Sequence, residues 1–338
     1  MAALAAGAAA TAVALERRRL RAVASDPERA FLEHPPSGRP LRARSVDGTE
    51  LHVEVFGSEQ QPTLVLAHGW TEALQYWAYV IRELGDEFRI VAYDLRGHGR
   101  SAPAAGGDYA LERFGEDLEA VLSAAASPPQ RAIVAGHSLG AMSIAAWAES
   151  HDLDRISGAA LLFTGLGDLI PAQLLIPVAG FAHALSDPIA RRMFFGSRIR
   201  LPRYSSPLSD AILRYIAFGP SASPAVVAFW ERMLLQCEPD VRAAVGLSIA
   251  SMSLHHALAR LTVPTLVMAG AKDRLTPPSH SRRMASELPQ LQAFVELPDC
   301  GHMGPLERPR DVAQALRALA RECLVPGSGV ADEPVRGR

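Results

Sequence analysis

The sequence predicts an α/β fold: a mostly parallel, twisted sheet of about eight strands, opened by an antiparallel hairpin, flanked by helices and carrying an inserted helical cap. Three observations predict it. Short apolar runs without polar alternation recur along the chain, as strands covered on both faces require. Segments of helical length lie between many of them, the rhythm of strand–helix–strand crossovers. From about Gly165 to Leu261 that rhythm stops, and helical segments follow one another, separated by Pro and Gly.

The elements follow in order. Leu41–Val46 and Leu51–Phe56 flank an Asp47-Gly48 turn, a hairpin signal. The apolar strands are 63–67, 89–93, 132–135, 158–163, 265–269 and 293–297. The helices between or after them are read at 76–84, 111–124, 139–149, 279–288 and 310–324. The insertion holds five helical segments: 170–185, 189–195, 210–218, 224–237 and 240–256. A thin helical layer over a sheet edge cannot bury all its apolar faces internally, so some of Phe181, Phe194, Phe195, Phe218, Phe229 and Trp230 are expected to line a pocket. The organisation is therefore an N-terminal extension (1–40), a core (41–164 and 262–324), a helical cap (165–261) and a disordered tail (325–338).

Composition narrows the function. A hydrophobic fraction of 49% is ample for a large core in 338 residues. The net charge of −2 gives no basic face for nucleic acid, so no such partner is expected. Lys272 is the only lysine, a bias toward Arg with no functional reading. The three cysteines, Cys237, Cys300 and Cys323, are odd in number and lack metal spacing, so free thiols are expected. Cys300 is read as a small buried residue despite its nearness to His302. Residues Ala2–Leu15 are almost all Ala, Leu, Val and Gly, with Arg17, Arg18, Arg19 and Arg21 following. The apolar run is shorter than the roughly 18 residues of a spanning helix, and no positive charge leads it as in a signal peptide. Three readings stay open: a loosely ordered Ala-rich helix, a weak peripheral membrane contact through residues 1–21, or a membrane segment clipped by a misassigned start. A cytoplasmic protein is expected, with membrane association through that terminus left open.

The chemistry is concentrated at Gly136-His137-Ser138-Leu139-Gly140. An apolar strand precedes it and a helix follows, so Ser138 sits on a sharp strand-to-helix turn with its hydroxyl exposed. Gly136 and Gly140 allow that turn without a Cβ clash, and the helix N-terminus offers free N–H groups and partial positive charge. A serine hydroxyl needs a base, and the base needs orientation. Asp273, just beyond the strand 265–269, and His302, after the last strand, supply the pair. Ser138 would attack, His302 would take and return the proton, and Asp273 would fix the imidazole tautomer. The order Ser, Asp, His is that of the nucleophile-elbow architecture. The backbone N–H groups of Leu139 and Trp70 would form the oxyanion hole, with His68-Gly69 shaping the tight turn before Trp70 and the indole of Trp70 beside the pocket.

At this point the chain resembles the α/β-hydrolase fold family, in the branch with a helical cap. The resemblance covers about residues 41–324 and rests on His68-Gly69-Trp70, Asp94–Ser101, Gly136–Gly140, Gly270–Asp273 and Gly301-His302. It implies that the Asp94–Ser101 loop shapes the site rather than catalysing. It also offers Asp168, after another strand, as an alternative acid, with Asp273 preferred. Glycine loops explain His68, His98 and His137, so no metal and no cofactor is expected. Glu116 and Asp117 are read as solvent-facing, and Glu72 as a solvated loop carboxylate in preference to a gate on the pocket. Relatives with an aspartate nucleophile are excluded by Ser138. The reading is a serine hydrolase of carboxylic esters with hydrophobic or lipid-like acyl or alkyl parts, a small-molecule substrate. Perhydrolase, thioesterase, carbon–carbon bond hydrolase and acyltransferase chemistry share the same triad, and a non-catalytic small-molecule receptor is the alternative from another class.

Overall fold

The computed structural model describes residues 2–126, 130–167, 169, 195–201 and 205–324. The expected segment 170–185, most of 189–195, Asp168 and the tail 325–338 lie outside the described residues.

The apolar runs form one eight-stranded sheet. Its strands are β1 (Arg39–Arg44), β2 (Glu50–Phe56), β3 (Thr63–Ala67), β4 (Arg89–Tyr93), β5 (Ala132–His137), β6 (Ile156–Leu162), β7 (Thr265–Gly270) and β8 (Leu291–Leu297). Their order is β1-β2-β4-β3-β5-β6-β7-β8. β1 pairs antiparallel with β2, and β2 with β4; every later pairing is parallel. Asp47 and Gly48 turn the opening hairpin, with Gly48 at φ 90° and the Asp47 carboxylate accepting from Thr49 N–H at 3.0 Å. β3, β5 and β7 are buried along their whole length, whereas β8, at the edge, is mostly half-buried. That gradient is why the central strands read as unbroken apolar runs.

Alternate side chains feed two cores. Val65, Ala67, Val91 and Val134 point to one face, and Leu64, Leu66, Ile90 and Ile133 to the other. The first face is covered by α4 (Leu111–Ala125) and α5 (Leu139–Ser150), through Phe114, Leu118, Ile144 and Trp147. The second is covered by α3 (Ala78–Leu84) and the C-terminal helix (Pro309–Leu324), through Val80, Leu84, Leu316 and Leu319. The expected helix at 76–84 is preceded by a tighter 3-10 turn, Leu74–Trp77, that shares its first residues.

Between β6 and β7 the described residues hold α6 (Pro207–Ala217), α7 (Pro224–Gln236) and α8 (Pro239–Ser251). Ser206 and Ser223 open the first two by accepting from Ser209 N–H and Val226 N–H, each with proline at the first helical position. The expected helix 240–256 stops early. Met252 turns extended, Leu254 N–H bonds to Leu166 O at 2.7 Å, and a 3-10 turn follows at His255–Arg260.

The N-terminal extension forms α1 (Ala2–Ala24) and α2 (Arg29–Glu33) and is tied to α7. The Asp26 carboxylate accepts from Ala225 N–H at 2.9 Å, and Arg232 donates to Leu32 O at 3.3 Å. Phe31 stacks on Tyr79 with ring centres 5.1 Å apart. No helix among the described residues is long and apolar enough to cross a membrane.

One sequence reading is corrected here. Asp117 does not face solvent: it is fully buried and grips Arg96, also fully buried, through Nε–Oδ2 at 2.7 Å and Nη2–Oδ1 at 2.6 Å. Arg96 further donates to Asp47 at 2.8 Å, to Asp108 O at 3.1 Å and to Ser45 at 3.2 Å. The guanidinium thus fastens the loop after β4 to the hairpin and to α4. Asp117→Ala strands that guanidinium without its partner. It should lower unfolding free energy by about 3–5 kcal/mol in urea denaturation; a loss under about 1 kcal/mol would mean the pair is replaceable by water.

Candidate active site

β5 ends at His137 and α5 begins at Leu139, so the whole reversal falls on Ser138. Its backbone sits at φ 50°, ψ −113°, a strained conformation for a residue with a Cβ, of order 1–3 kcal/mol. Hydrogen bonds to its backbone over-determine it, among them three. Ser138 N–H donates to Leu162 O at 3.0 Å, its carbonyl accepts from Thr164 Oγ1 at 3.0 Å, and Met142 N–H reaches the same carbonyl at 3.1 Å. Gly140 is required by approach rather than by dihedral angle: a Cβ there would collide with the Ala67 carbonyl at the end of β3. A Cβ on Gly136 would likewise collide with the Gly140 backbone. Ser138 stands half-buried between fully buried neighbours. Leu139 N–H lies in the first turn of α5, where amides have no intrahelical acceptor.

Asp273 and His302 meet across the loops that follow β7 and β8. His302 Nδ1 lies 2.8 Å from Asp273 Oδ2, with both residues buried. The same carboxylate accepts from Leu275 N–H and Thr276 N–H, each at 2.8 Å, and from Thr276 Oγ1 at 2.8 Å. An ionised carboxylate with four donors is fully satisfied without water. Burial by itself drives the His302 imidazole down; the Asp273 charge and hydrogen bond oppose it, Glu72 and Glu307 add to them, and the net position is above the ordinary 6.5. Glu307 also holds the His302 loop, accepting from Gly301 N–H at 3.0 Å, Met303 N–H at 3.2 Å and Gly219 N–H at 2.7 Å. His302 N–H donates to Ala217 O at 2.8 Å, which ties the loop to the end of α6.

Loop 68–72 follows β3. His68 is buried, donates from Nδ1 to Gly69 O at 2.8 Å and accepts from Leu95 N–H on Nε2 at 3.0 Å. Burial drives its pKa well below 6.5, which agrees with Nε2 acting as acceptor. A Cβ on Gly69 would come 2.8 Å from His137 Nδ1, so only glycine lets the loop close on that ring. The Trp70 indole points into the inserted helices, donating to Arg242 O on α8 at 3.2 Å.

Glu72 corrects a second sequence reading. It is buried, not solvated: its carboxylate accepts from Gly69 N–H at 2.6 Å and Trp230 Nε1 at 3.3 Å, and lies 3.1 Å from His137 Nδ1. His137 Nε2 lies 3.0 Å from His302 O, so both ring nitrogens of His137 face acceptors. Its ring stacks on Tyr76 at 4.5 Å and stands 4.8 Å from the His302 ring. Through this ring the residue preceding Ser138 touches the loop bearing His302.

An oriented imidazole–carboxylate pair, a half-buried serine on a strained elbow and a glycine loop after β3 all lie at the carboxyl edge of the sheet. The alpha/beta hydrolase fold model matches residues 62–309. The chain belongs to the α/β-hydrolase fold family. It is 23% identical over 279 residues to a bifunctional esterase/perhydrolase of Acinetobacter calcoaceticus, covering 81% of this chain and 97% of that protein. It is 28% identical over 251 residues to a pimeloyl-[acyl-carrier protein] methyl ester esterase of Vibrio parahaemolyticus, covering 73% and 89%. Among solved structures, a thermophilic esterase from Thermogutta terrifontis superposes with a TM-score of 0.69 at 27% identity, covering 85% of this chain and all of that one (100%).

In this α/β-hydrolase-fold chain, then, Asp273 and His302 are hydrogen-bonded, while Asp168 lies outside the described residues. Sequence reasoning missed Thr276, Glu307 and the true setting of Glu72. Only Thr276 had a local signal, three residues after Asp273 in an Asx-type turn. Cys300 is buried beside the site with its thiol pushed up by burial, and the three cysteines are free. Among the described residues, no group of three or more His, Cys, Asp or Glu converges to hold a metal ion.

The His302 shift has a testable sign. A group raised above 6.5 contributes stability that is complete below 6.5 and lost as pH rises through the folded-state value. In an NMR titration His302 should deprotonate above 6.5, and Asp273→Asn should move that midpoint down. A wild-type midpoint below 6.5 would contradict the charge arrangement.

Proposed function

We propose that the protein is a serine hydrolase that cleaves carboxylic esters through an acyl-enzyme. Ser138 is the nucleophile, His302 the general base and acid, and Asp273 the orienting carboxylate. The observation that carries the reading is the buried His302 Nδ1–Asp273 Oδ2 contact of 2.8 Å beside the strained elbow. With Nδ1–H committed to Asp273, the proton-accepting nitrogen is Nε2. In the first half-reaction Ser138 Oγ attacks the ester carbonyl as its proton passes to Nε2. The carbonyl electron pair moves to oxygen, facing the Leu139 and Trp70 amides. Collapse expels the alcohol, which takes the proton from His302. Water then repeats the sequence and releases the acid, restoring serine.

The esterase names of the relatives and of the superposing structure support an ester substrate. The inserted helices support the apolar part: they act as a cap that brings Trp230 and Phe218, rings 5.7 Å apart, to the Glu72 side of the site. A hydrophobic or lipid-like acyl or alkyl group fits such a cover.

A fluorophosphonate probe should label the wild type and leave Ser138→Ala unlabelled, while the variant keeps its melting temperature. An unlabelled wild type would favour the receptor reading. Asp273→Asn should lower kcat by about 10⁴-fold. The pH profile of kcat/KM should fall on the acid side with a midpoint above 6.5, because only neutral His302 accepts the proton. A panel of p-nitrophenyl esters from acetate to palmitate reads the acyl length that the site accepts. Activity falling steadily from acetate would overturn the lipid-like assignment.

A further inference from the structure

Glu72 stands 3% exposed where three parts of the chain meet, and its two oxygens divide the work. Oε2 accepts from Gly69 N–H at 2.6 Å and faces His137 Nδ1 at 3.1 Å. Oε1 accepts from the indole N–H of Trp230, on α7, at 3.3 Å. The next residue of the loop, Trp70, sends its own indole N–H to the Arg242 carbonyl on α8 at 3.2 Å. A Cβ on Gly246 of α8 would come 2.9 Å from the Trp70 ring, so α8 lies directly on the indole. The loop is therefore joined to the inserted helices twice, once as donor and once as acceptor.

The loop also carries a strain that needs outside support. Thr71, between Trp70 and Glu72, has φ 63°, a left-handed backbone that a β-branched residue rarely adopts. Such a conformation persists only where surrounding contacts fix it. The contacts here are the Glu72 carboxylate on one side and the Trp70 indole on the other. One of the three Glu72 contacts comes from α7, and the Trp70 contact comes from α8. Lifting α7 takes the donor from a buried carboxylate oxygen, and lifting α8 takes the acceptor from an indole N–H.

We propose that Glu72, Trp230 and Trp70 couple the inserted helices to loop 68–72, so that the Trp70 amide reaches its working position only while α7 and α8 cover the site. Glu72 is a positioning residue in this scheme, and Trp230 acts through it. The consequence is that the oxyanion hole is assembled by closure of the cap rather than preformed, which rests on the serine-hydrolase reading. His137 extends the coupling, because the ring held by Glu72 meets the His302 carbonyl at 3.0 Å.

Trp230→Phe and Trp70→Phe test it, since each keeps an aromatic ring and removes one indole N–H. Glu72→Gln is the third variant, should either fail to fold by near-ultraviolet circular dichroism. Two readouts are taken. The first is steady-state hydrolysis of p-nitrophenyl acetate, too short to span an apolar pocket. Each variant should lose on the order of tenfold in kcat with little change in KM, and should bind a trifluoromethyl ketone weaker by a similar factor. The second is hydrogen exchange of peptides covering residues 68–77, which should quicken about tenfold in the variants. Unchanged exchange in the folded variants overturns the coupling. So does unchanged kcat on acetate, or a defect confined to KM for long esters, since either makes the indoles mere pocket wall. A wild type that neither labels with fluorophosphonate nor turns over any ester fails the hydrolase reading instead, and the exchange data still decide the coupling.

Discussion

A carboxylate taken out of water must find donors or lose its charge, and this constraint fixes the loops at the carboxyl edge of the sheet. Apolar packing builds the two layers of core, but the loops have little apolar surface of their own. They are held by wholly or partly buried acids instead. Asp94 accepts from Leu74 N–H at 2.6 Å and Arg100 N–H at 2.9 Å, joining the turn after β3 to the turn after β4. Asp273 gathers Leu275, Thr276 and His302, and Glu307 gathers Gly219, Gly301 and Met303. Glu72 gathers Gly69, His137 and Trp230. Each acid spans segments far apart in sequence, so the set behaves as a frame in which the candidate catalytic groups are mounted.

That frame explains what the sequence disclosed and what it hid. Strands buried on both faces announce themselves by composition, so every expected strand was found, with shifts only at ends: β6 starts at Ile156 and β8 at Leu291. The elbow was legible because its determinants are local, two glycines and a serine between an apolar strand and a helix. The Asp273–His302 pair was legible only through chain order, since no local pattern joins residues 29 apart. Asp117 was misread although a clue existed. It stands three residues after Phe114 and four before Val121, on the apolar stripe of α4, where an acid needs a buried partner. Glu72 gave no such clue. Its side-chain partners lie 65 and 158 residues away, and only the folded chain brings them to it.

The same logic reaches the N-terminal extension. Adjacent residues of α7 serve opposite neighbours. Trp230 bonds inward to Glu72, while Glu231, buried at 1% exposure, accepts from Ser209 Oγ at 2.8 Å, pairs with Ser205 and lies 4.0 Å from Arg19 of α1. Asp26 supplies an acceptor to the first turn of α7 through Ala225 N–H, where helix amides otherwise go unpaired. The helix nearest to Glu72 is thereby gripped from outside by a segment that belongs to neither the sheet nor the inserted helices. Whatever displaces α1 and α2 changes the load on α7, and so on the donor that Glu72 receives.

The charges around His302 also set the terms of the proposed chemistry. Asp273, Glu72 and Glu307 all favour the protonated imidazole against the effect of burial. They strengthen it as a base and stabilise the positive charge it gains as the serine attacks. Those acids would equally repel the negative charge appearing on the substrate carbonyl. The repulsion has to be met at the elbow, where the first turn of α5 presents its amides and partial positive end. Glu72 binds both problems together, because its carboxylate supports the histidine side through His137 while spending its shortest hydrogen bond on the Gly69 amide, one residue from the Trp70 N–H. An acid in that position helps catalysis only if its charge is consumed by donors facing away from the oxyanion. The three contacts to Gly69, His137 and Trp230 occupy both oxygens of the Glu72 carboxylate in this way.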